Sequence, residues 1–190
     1  MSELIQFSFK GDRNYVHGTS LFDALVRHAE HRGIKSGRIN ILFKQKIDSP
    51  ECILEERIAT TDDSVVAKLL SFEGCSHSFC INPVSKKQAA VIVDYDESDI
   101  CLGAKVGCGS IIQNQPRHDN KIELLVALCK KMHFECIESE KKWVFARYDG
   151  VFPIPEINQV EIRIAKQVGT RLTCSDVLIN GRKIADMYFS

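Results

Sequence analysis

The chain has 190 residues, enough for one domain or two small ones with a real hydrophobic core. Apolar residues make up 44% and charged residues 26%, which excludes wholesale disorder and collagen-like or fibrous architectures. Twenty-five Lys and Arg balance twenty-five Asp and Glu, so the net charge is zero with neutral histidines, and neither nucleic acid nor an anionic membrane surface is an expected partner.

Residues 4–9 alternate, with Ile5, Phe7 and Phe9 on one side, as a half-buried strand does. Gly11-Asp12-Arg13-Asn14 breaks this strand. From residue 20 to 32, Leu21, Phe22, Leu25, Val26 and Ala29 recur at helical spacing, and Gly33 supplies a stop. Strands are predicted over residues 38–47, 52–58, 64–72 and 88–94, separated by Ser49-Pro50, Thr60-Thr61-Asp62-Asp63 and Asn82-Pro83. The acidic residues 94–99 read as a junction.

Beyond that junction, residues 106–113 read as a strand and Asn114-Gln115-Pro116-Arg117 as a loop. Ile122, Leu125, Val126, Leu128, Cys129 and Met132 mark a second helix with a broad apolar face, in which Cys129 serves as a small hydrophobe. Strands are predicted at 133–138, 142–148, 159–166, 171–179 and 182–189. The last two flank Asn180-Gly181, a dipeptide suited to a type I′ hairpin because both turn positions need positive φ. Phe152-Pro153-Ile154-Pro155 reads as a loop or an edge, since neither proline can donate to a ladder. Trp143, Phe145 and Tyr148 read as packing residues rather than a base-stacking platform.

The two parts share one order: strand, loop, amphipathic helix, then four or so strands. The strand-to-strand links are too short for helical crossovers, so the sheets are predicted to be antiparallel. The expected class is α+β, with an approximate internal duplication into residues 1–98 and 99–190 packed as one unit.

Two segments carry a family resemblance. Tyr15-Val16-His17-Gly18-Thr19-Ser20-Leu21-Phe22-Asp23-Ala24-Leu25 resembles the loop-into-helix segment of hot-dog fold proteins, in which a His-containing turn with Gly precedes an apolar helix bearing an acid. Arg117-His118-Asp119-Asn120-Lys121-Ile122-Glu123-Leu124-Leu125 resembles a second copy. The resemblance implies a curved antiparallel sheet wrapped around a long helix in each of two halves, as in double hot-dog proteins.

It further implies an acyl thioester of coenzyme A or of acyl carrier protein as partner, with hydration, dehydration, hydrolysis or binding alone as the activity, no cofactor, and room for a homodimer. On that footing His17 is the base and Asp23 its partner or the acid. Gly18 and Thr19 present the helix-start amides, Tyr15 lies beside them as a substrate contact, and His118 and Glu123 hold the comparable places in the second half. A base and an acid suffice because such reactions move protons, while helix-start N–H groups can polarise the thioester carbonyl. The Pro-Gly stretch usual between His and acid in the dehydratases is absent.

The same residues carry plainer readings. Ser20 with Asp23, and Asn120 with Glu123, each fit a capping box. A non-catalytic binding or assembly module is the alternative function. Cys75-Ser76-His77-Ser78-Phe79-Cys80 places three soft ligands together, so a zinc-stabilised protein is a further reading. The glycine-rich residues 103–110 lack the Lys-Ser/Thr end of a P-loop and are read as turns. The pairs Lys86-Lys87, Lys130-Lys131, Lys141-Lys142 and Arg182-Lys183 are read as solvated. The N-terminal segment has no basic region leading into an apolar one, and no run approaches the ~18 apolar residues that cross a bilayer. With eight cysteines, reduced thiols in the cytoplasm are expected.

Overall fold

The structure is a computed structural model that describes residues 2–84, 89–138 and 142–190. It resolves into two compact units, Met1–Tyr95 and Asp96–Ser190. The basic pair Lys86-Lys87, Lys141 and the first residue of the strand predicted over 88–94 lie outside the described residues.

The first unit contains β1 (Ser2–Gln6), β2 (Phe9–Lys10), α1 (Gly18–His31), β3 (Gly37–Phe43), β4 (Glu51–Glu56), β5 (Val65–Ser71), β6 (Ser76–Pro83) and β7 (Ile92–Val93). Five of these strands form an antiparallel array in the order β1-β4-β6-β5-β3. Inward residues alternate as the pleat requires: Ile39 and Ile41 on β3, Val65, Ala67 and Leu69 on β5, Phe79 and Ile81 on β6, all essentially sealed from water. Each of these apart from Ala67 contributes roughly 1.5–3 kcal/mol by leaving water. Because β1 and β3 run in the same direction at opposite ends of the array, the chain between them must cross a sheet face, and α1 makes that crossing. Its apolar stripe of Leu21, Phe22, Ala24, Leu25 and Ala29 is buried, and His28 meets Phe79 of β6 edge-on at 5.6 Å. Gly33, at φ 81, ends the helix in a Schellman motif, with Gly33 N–H donating to Glu30 C=O and Ile34 N–H to Ala29 C=O.

The second unit contains α2 (Glu97–Ile100), β8 (Lys105–Gly107), β9 (Ser110–Asn114), α3 (Lys121–Cys136), β10 (Phe145–Phe152), β11 (Gln159–Val168), β12 (Leu172–Ile179) and β13 (Arg182–Phe189). Its strands are antiparallel in the order β8-β9-β11-β12-β13-β10. α3 makes the crossing from β9 to β10, and nine consecutive residues, Ile122 through Lys130, are buried. Gly150 on β10 faces Ala185 so closely that an added Cβ would stand 2.4 Å from the Ala185 Cβ. Asn180 and Gly181 take φ 51 and 78, the pair of positive values the β12–β13 turn demands.

Several expected elements are corrected. The segment 133–138 is not a strand: α3 continues to Cys136, and Ile137 N–H donates to His133 C=O. His133 faces inward and stacks on Trp143 at 4.8 Å, so packing overrides the local alternation. The strand expected over 88–94 is reduced to β7, which pairs in parallel with β2 and no other described strand. The strand expected over 4–9 is interrupted at Phe7-Ser8, and Leu4 is exposed. Residues 106–113 are two strands, turned at Cys108-Gly109 with Gly109 at φ 69. Lys130 is not solvated; it is 8% exposed and its Nζ donates to Glu97 Oε1 at 2.7 Å.

Candidate functional site

The two helix starts singled out by sequence are built differently. At the first, His17 is the N-cap of α1 with extended backbone, and it makes no side-chain capping bond. The helix therefore begins three residues earlier than the capping box of Ser20 and Asp23 would start it, and its first turn holds no acid. Gly18 and Thr19 are the first helical residues, placing their amides at the positive end of the helix dipole. His17 is buried, with Nδ1 2.7 Å from Thr19 Oγ1 and its ring 5.4 Å from that of Tyr95. Lys10 Nζ also donates to Thr19 Oγ1, at 3.4 Å, so one hydroxyl serves a histidine and an ammonium. Burial holds the Lys10 ammonium below its usual range, and the Asp23 charge pulls the other way. Lys10 and Arg13 lie over the Tyr95 ring, while Tyr15 sits under Lys46 at 5.0 Å. The parts taken by Lys10 and Tyr95 carried no sequence signal, since both lie outside the loop-into-helix segment, Lys10 on the strand before it and Tyr95 far along the chain.

At the second start, Asn120 is the N-cap of α3, and its side-chain oxygen accepts from Glu123 N–H at 3.1 Å. That satisfies an amide the helix would otherwise leave open. The Glu123 carboxylate also reaches His118, whose Nε2 lies 3.0 Å from Glu123 Oε2. The His118 side chain is 29% exposed and that of Glu123 10%. A carboxylate on Nε2 fixes the neutral tautomer with its proton there and its acceptor lone pair on Nδ1, and it stabilises the imidazolium once a proton is taken.

Two cavities lined by described residues lie elsewhere. One, of ≈ 220 Å³, is bounded by Arg32, Lys35, Ser71, Phe72, Cys75 and His77; the other, of ≈ 360 Å³, by Glu97, Cys101, Ala127, Lys130, Lys131 and Phe134. Neither includes a member of the His–acid sets. The zinc reading is corrected: Cys75 is exposed before β6, Cys80 is buried within it, and His77 Nδ1 lies 2.7 Å from Glu56 Oε1. Positions 77 and 80 project to opposite faces of a strand. Among the described residues no group of three or more His, Cys, Asp or Glu could hold a metal ion.

No family model matches the chain, and no curated protein matches its sequence. Solved structures do match. A candidate thioesterase II from Thermobifida fusca aligns with a TM-score of 0.56 at 12% identity, over 99% of this chain and 91% of that one. The dehydratase domain of PpsC from Mycobacterium tuberculosis, in complex with C12:1-CoA, aligns with a TM-score of 0.51 at 10% identity, over 100% and 93%. A conserved protein of unknown function with a hot dog fold from Alicyclobacillus acidocaldarius aligns with a TM-score of 0.50 at 9% identity, over 93% and 86%. Identities this low establish the fold alone, and the fold of this chain is the hot-dog fold.

Proposed function

From the hot-dog fold of this chain we propose that it is a double hot-dog protein, with halves at residues 1–98 and 99–190, that binds acyl thioesters of coenzyme A or acyl carrier protein and transfers a proton at His118 and Glu123. The observation that carries this reading is the 3.0 Å contact between His118 Nε2 and Glu123 Oε2 at the start of α3. His118 Nδ1 acts as the general base toward an α-proton or a water molecule, and Glu123 orients the ring and balances its charge. The chemistry is hydration, dehydration or hydrolysis, each of which needs this one proton transfer. In the first half the amides of Gly18 and Thr19 polarise a carbonyl, Tyr15 contacts substrate, and His17 with Asp23 sets the charge around them. The eight cysteines are all unpaired, which suits a reducing cytoplasm, and no helix among the described residues is long and apolar enough to cross a membrane.

The test is thermal shift and turnover on saturated, 2,3-enoyl and 3-hydroxyacyl coenzyme A thioesters, with His118→Ala, Glu123→Gln, His17→Ala and Asp23→Asn beside wild type. We expect ligand stabilisation to survive in His118→Ala while turnover falls by roughly 10²–10⁴-fold, the usual contribution of a positioned base. Absence of stabilisation by any thioester would end the reading. A second reading, binding without catalysis, is favoured by the burial of His17 and its contact with Thr19; stabilisation without turnover in wild type would select it.

A further inference from the structure

The cysteines take no part in the chemistry above, and their surroundings sort them. Cys52, Cys80, Cys101 and Cys129 are buried, and loss of solvent pushes all four thiols up, to about 12 for Cys52 and about 11 for Cys80 and Cys101. Cys174 is half-buried and shifted the same way. Cys75 is exposed, but the other cysteines of its unit, Cys52 and Cys80, are sealed.

Cys108 and Cys136 differ from these. Cys108 is exposed and forms, with Gly109, the two-residue turn between β8 and β9, where Gly107 pairs with Ser110. Cys136 is the last residue of α3 and is partly exposed. Its thiol donates to the carbonyl oxygen of Gly107, with Sγ at 3.2 Å, and that carbonyl belongs to the peptide leading into Cys108. A carbonyl oxygen and the next Cα are about 2.8 Å apart across a trans peptide, so the Cys136 sulfur lies within about 6 Å of the Cys108 Cα. Closing a disulfide from there asks for a shift of about 2 Å and a change of rotamer. The turn can supply both: glycines flank Cys108 on each side, and the Cα of Gly109, at φ 69, faces open space.

We propose that Cys108 and Cys136 form a peroxide-sensitive modification site that closes to an intramolecular disulfide. The Cys108 thiolate attacks a peroxide oxygen: an S–O bond forms, the O–O bond breaks, and hydroxide leaves to give the sulfenic acid. The Cys136 thiolate then attacks that sulfur; the S–S bond forms, the S–O bond breaks, and a second hydroxide leaves. Two thiols and one hydrogen peroxide become one disulfide and two waters. The ring closed in this way runs through β9, His118, Asn120 and Glu123, so oxidation stiffens the segment that carries the second helix start.

The full chain is treated with hydrogen peroxide, unfolded in an alkylating agent and mapped by peptide mass spectrometry. The expected result is a monomer that has lost two alkylatable thiols, with one cross-linked peptide joining Cys108 to Cys136, restored by dithiothreitol. The melting temperature should rise by roughly 5 °C on oxidation. Cys108→Ser and Cys136→Ser should each abolish the cross-link while melting as the reduced wild type does. Eight alkylatable thiols after oxidation, a cross-link through any other cysteine, or Cys108 carried to the sulfinic acid with Cys136 still reduced would overturn the proposal. None of these readouts involves thioester turnover, so the proposal fails or stands apart from the function above.

Discussion

With five main strands numbered in chain order within each unit, the first unit runs 1-3-5-4-2 and the second 1-3-4-5-2. In the second unit the last three strands follow one another through tight turns, made with Gly169 at φ 56 and with Asn180-Gly181. In the first unit β6 lies between β4 and β5, so residues 57–64 must step past a strand position. Asp63 holds that step. It is 1% exposed and accepts from Arg57 Nη1 and Nη2, from Thr60 N–H at 2.6 Å and from Asn82 Nδ2 at 2.7 Å, and the Arg57 guanidinium keeps its carboxyl well below the usual carboxylate range. A hairpin needs only local turn chemistry, whereas a stepped connection needs a buried charge with every lone pair engaged.

The helices differ in the same spirit. α1 is amphipathic, with Arg27, Glu30 and His31 exposed, and its start is arranged around a buried histidine. α3 is buried continuously from Ile122 to Lys130, with Phe134 and Glu135 exposed near its end, and its start is capped by Asn120 beside the contact of Glu123 with the partly exposed His118.

The stepped connection of the first unit is most exposed to Asp63→Ala. It should cost about 3–4 kcal/mol in urea unfolding, because Arg57, Thr60 and Asn82 lose their common acceptor; a loss under ~1 kcal/mol would mean the step does not depend on the hub. Next comes pH, which acts on the second unit through His133. Burial pushes its imidazole down to about 4, beside Thr173 Oγ1 at 2.7 Å. Folding therefore favours the neutral ring, so its contribution is fully present above about pH 6.5 and is lost as pH falls toward 4. Between pH 7 and pH 5 the unfolding free energy should drop by about 2 kcal/mol from this group, and His133→Phe should flatten that slope. A slope unchanged in the variant would place the titration elsewhere.

Smaller effects sharpen the contrast between helix starts and ends. Asn120→Ala should cost about 1 kcal/mol, because the Glu123 N–H loses its acceptor, and, by loosening the turn that carries Glu123, lower turnover on any thioester that wild type processes. Equal turnover in the two proteins would separate the cap from the site. Gly33→Ala should cost about 1 kcal/mol, since the end of α1 uses a left-handed residue at φ 81, whereas Ile137 after α3 is extended. Thermal melts of the two variants side by side are the check.

Much of this was legible in the residues. The buried stripes of both helices, the alternation of β3 and β5 and the Asn180-Gly181 turn all follow from local periodicity and backbone preference. The pairing of His118 with Glu123 was legible too, because five residues spanning a cap bring a loop side chain over the first helical turn. His17 was legible as a helix-start residue, but its contact with Thr19 and the overlying Tyr95 was not. The segment 133–138 misled because His, Phe, Glu, Cys and Ile alternate in polarity, whereas the Trp143 and Phe189 rings and the Thr173 hydroxyl show that His133 points inward on a helix. Val91-Ile92-Val93 misled for the converse reason: among the described residues, high strand propensity found only Phe9-Lys10 to pair with.

By itself, then, the sequence determined the kinds of element, their order, and the spacing of histidine and acid at the start of α3, since each depends on neighbours a few residues apart. The tertiary structure alone decided the exchange of strands four and five between the units, the burial of His17, the neutrality of His133 and the approach of Cys136 to the turn at Cys108. Each of those depends on which distant segments meet, and on how much water is left when they do.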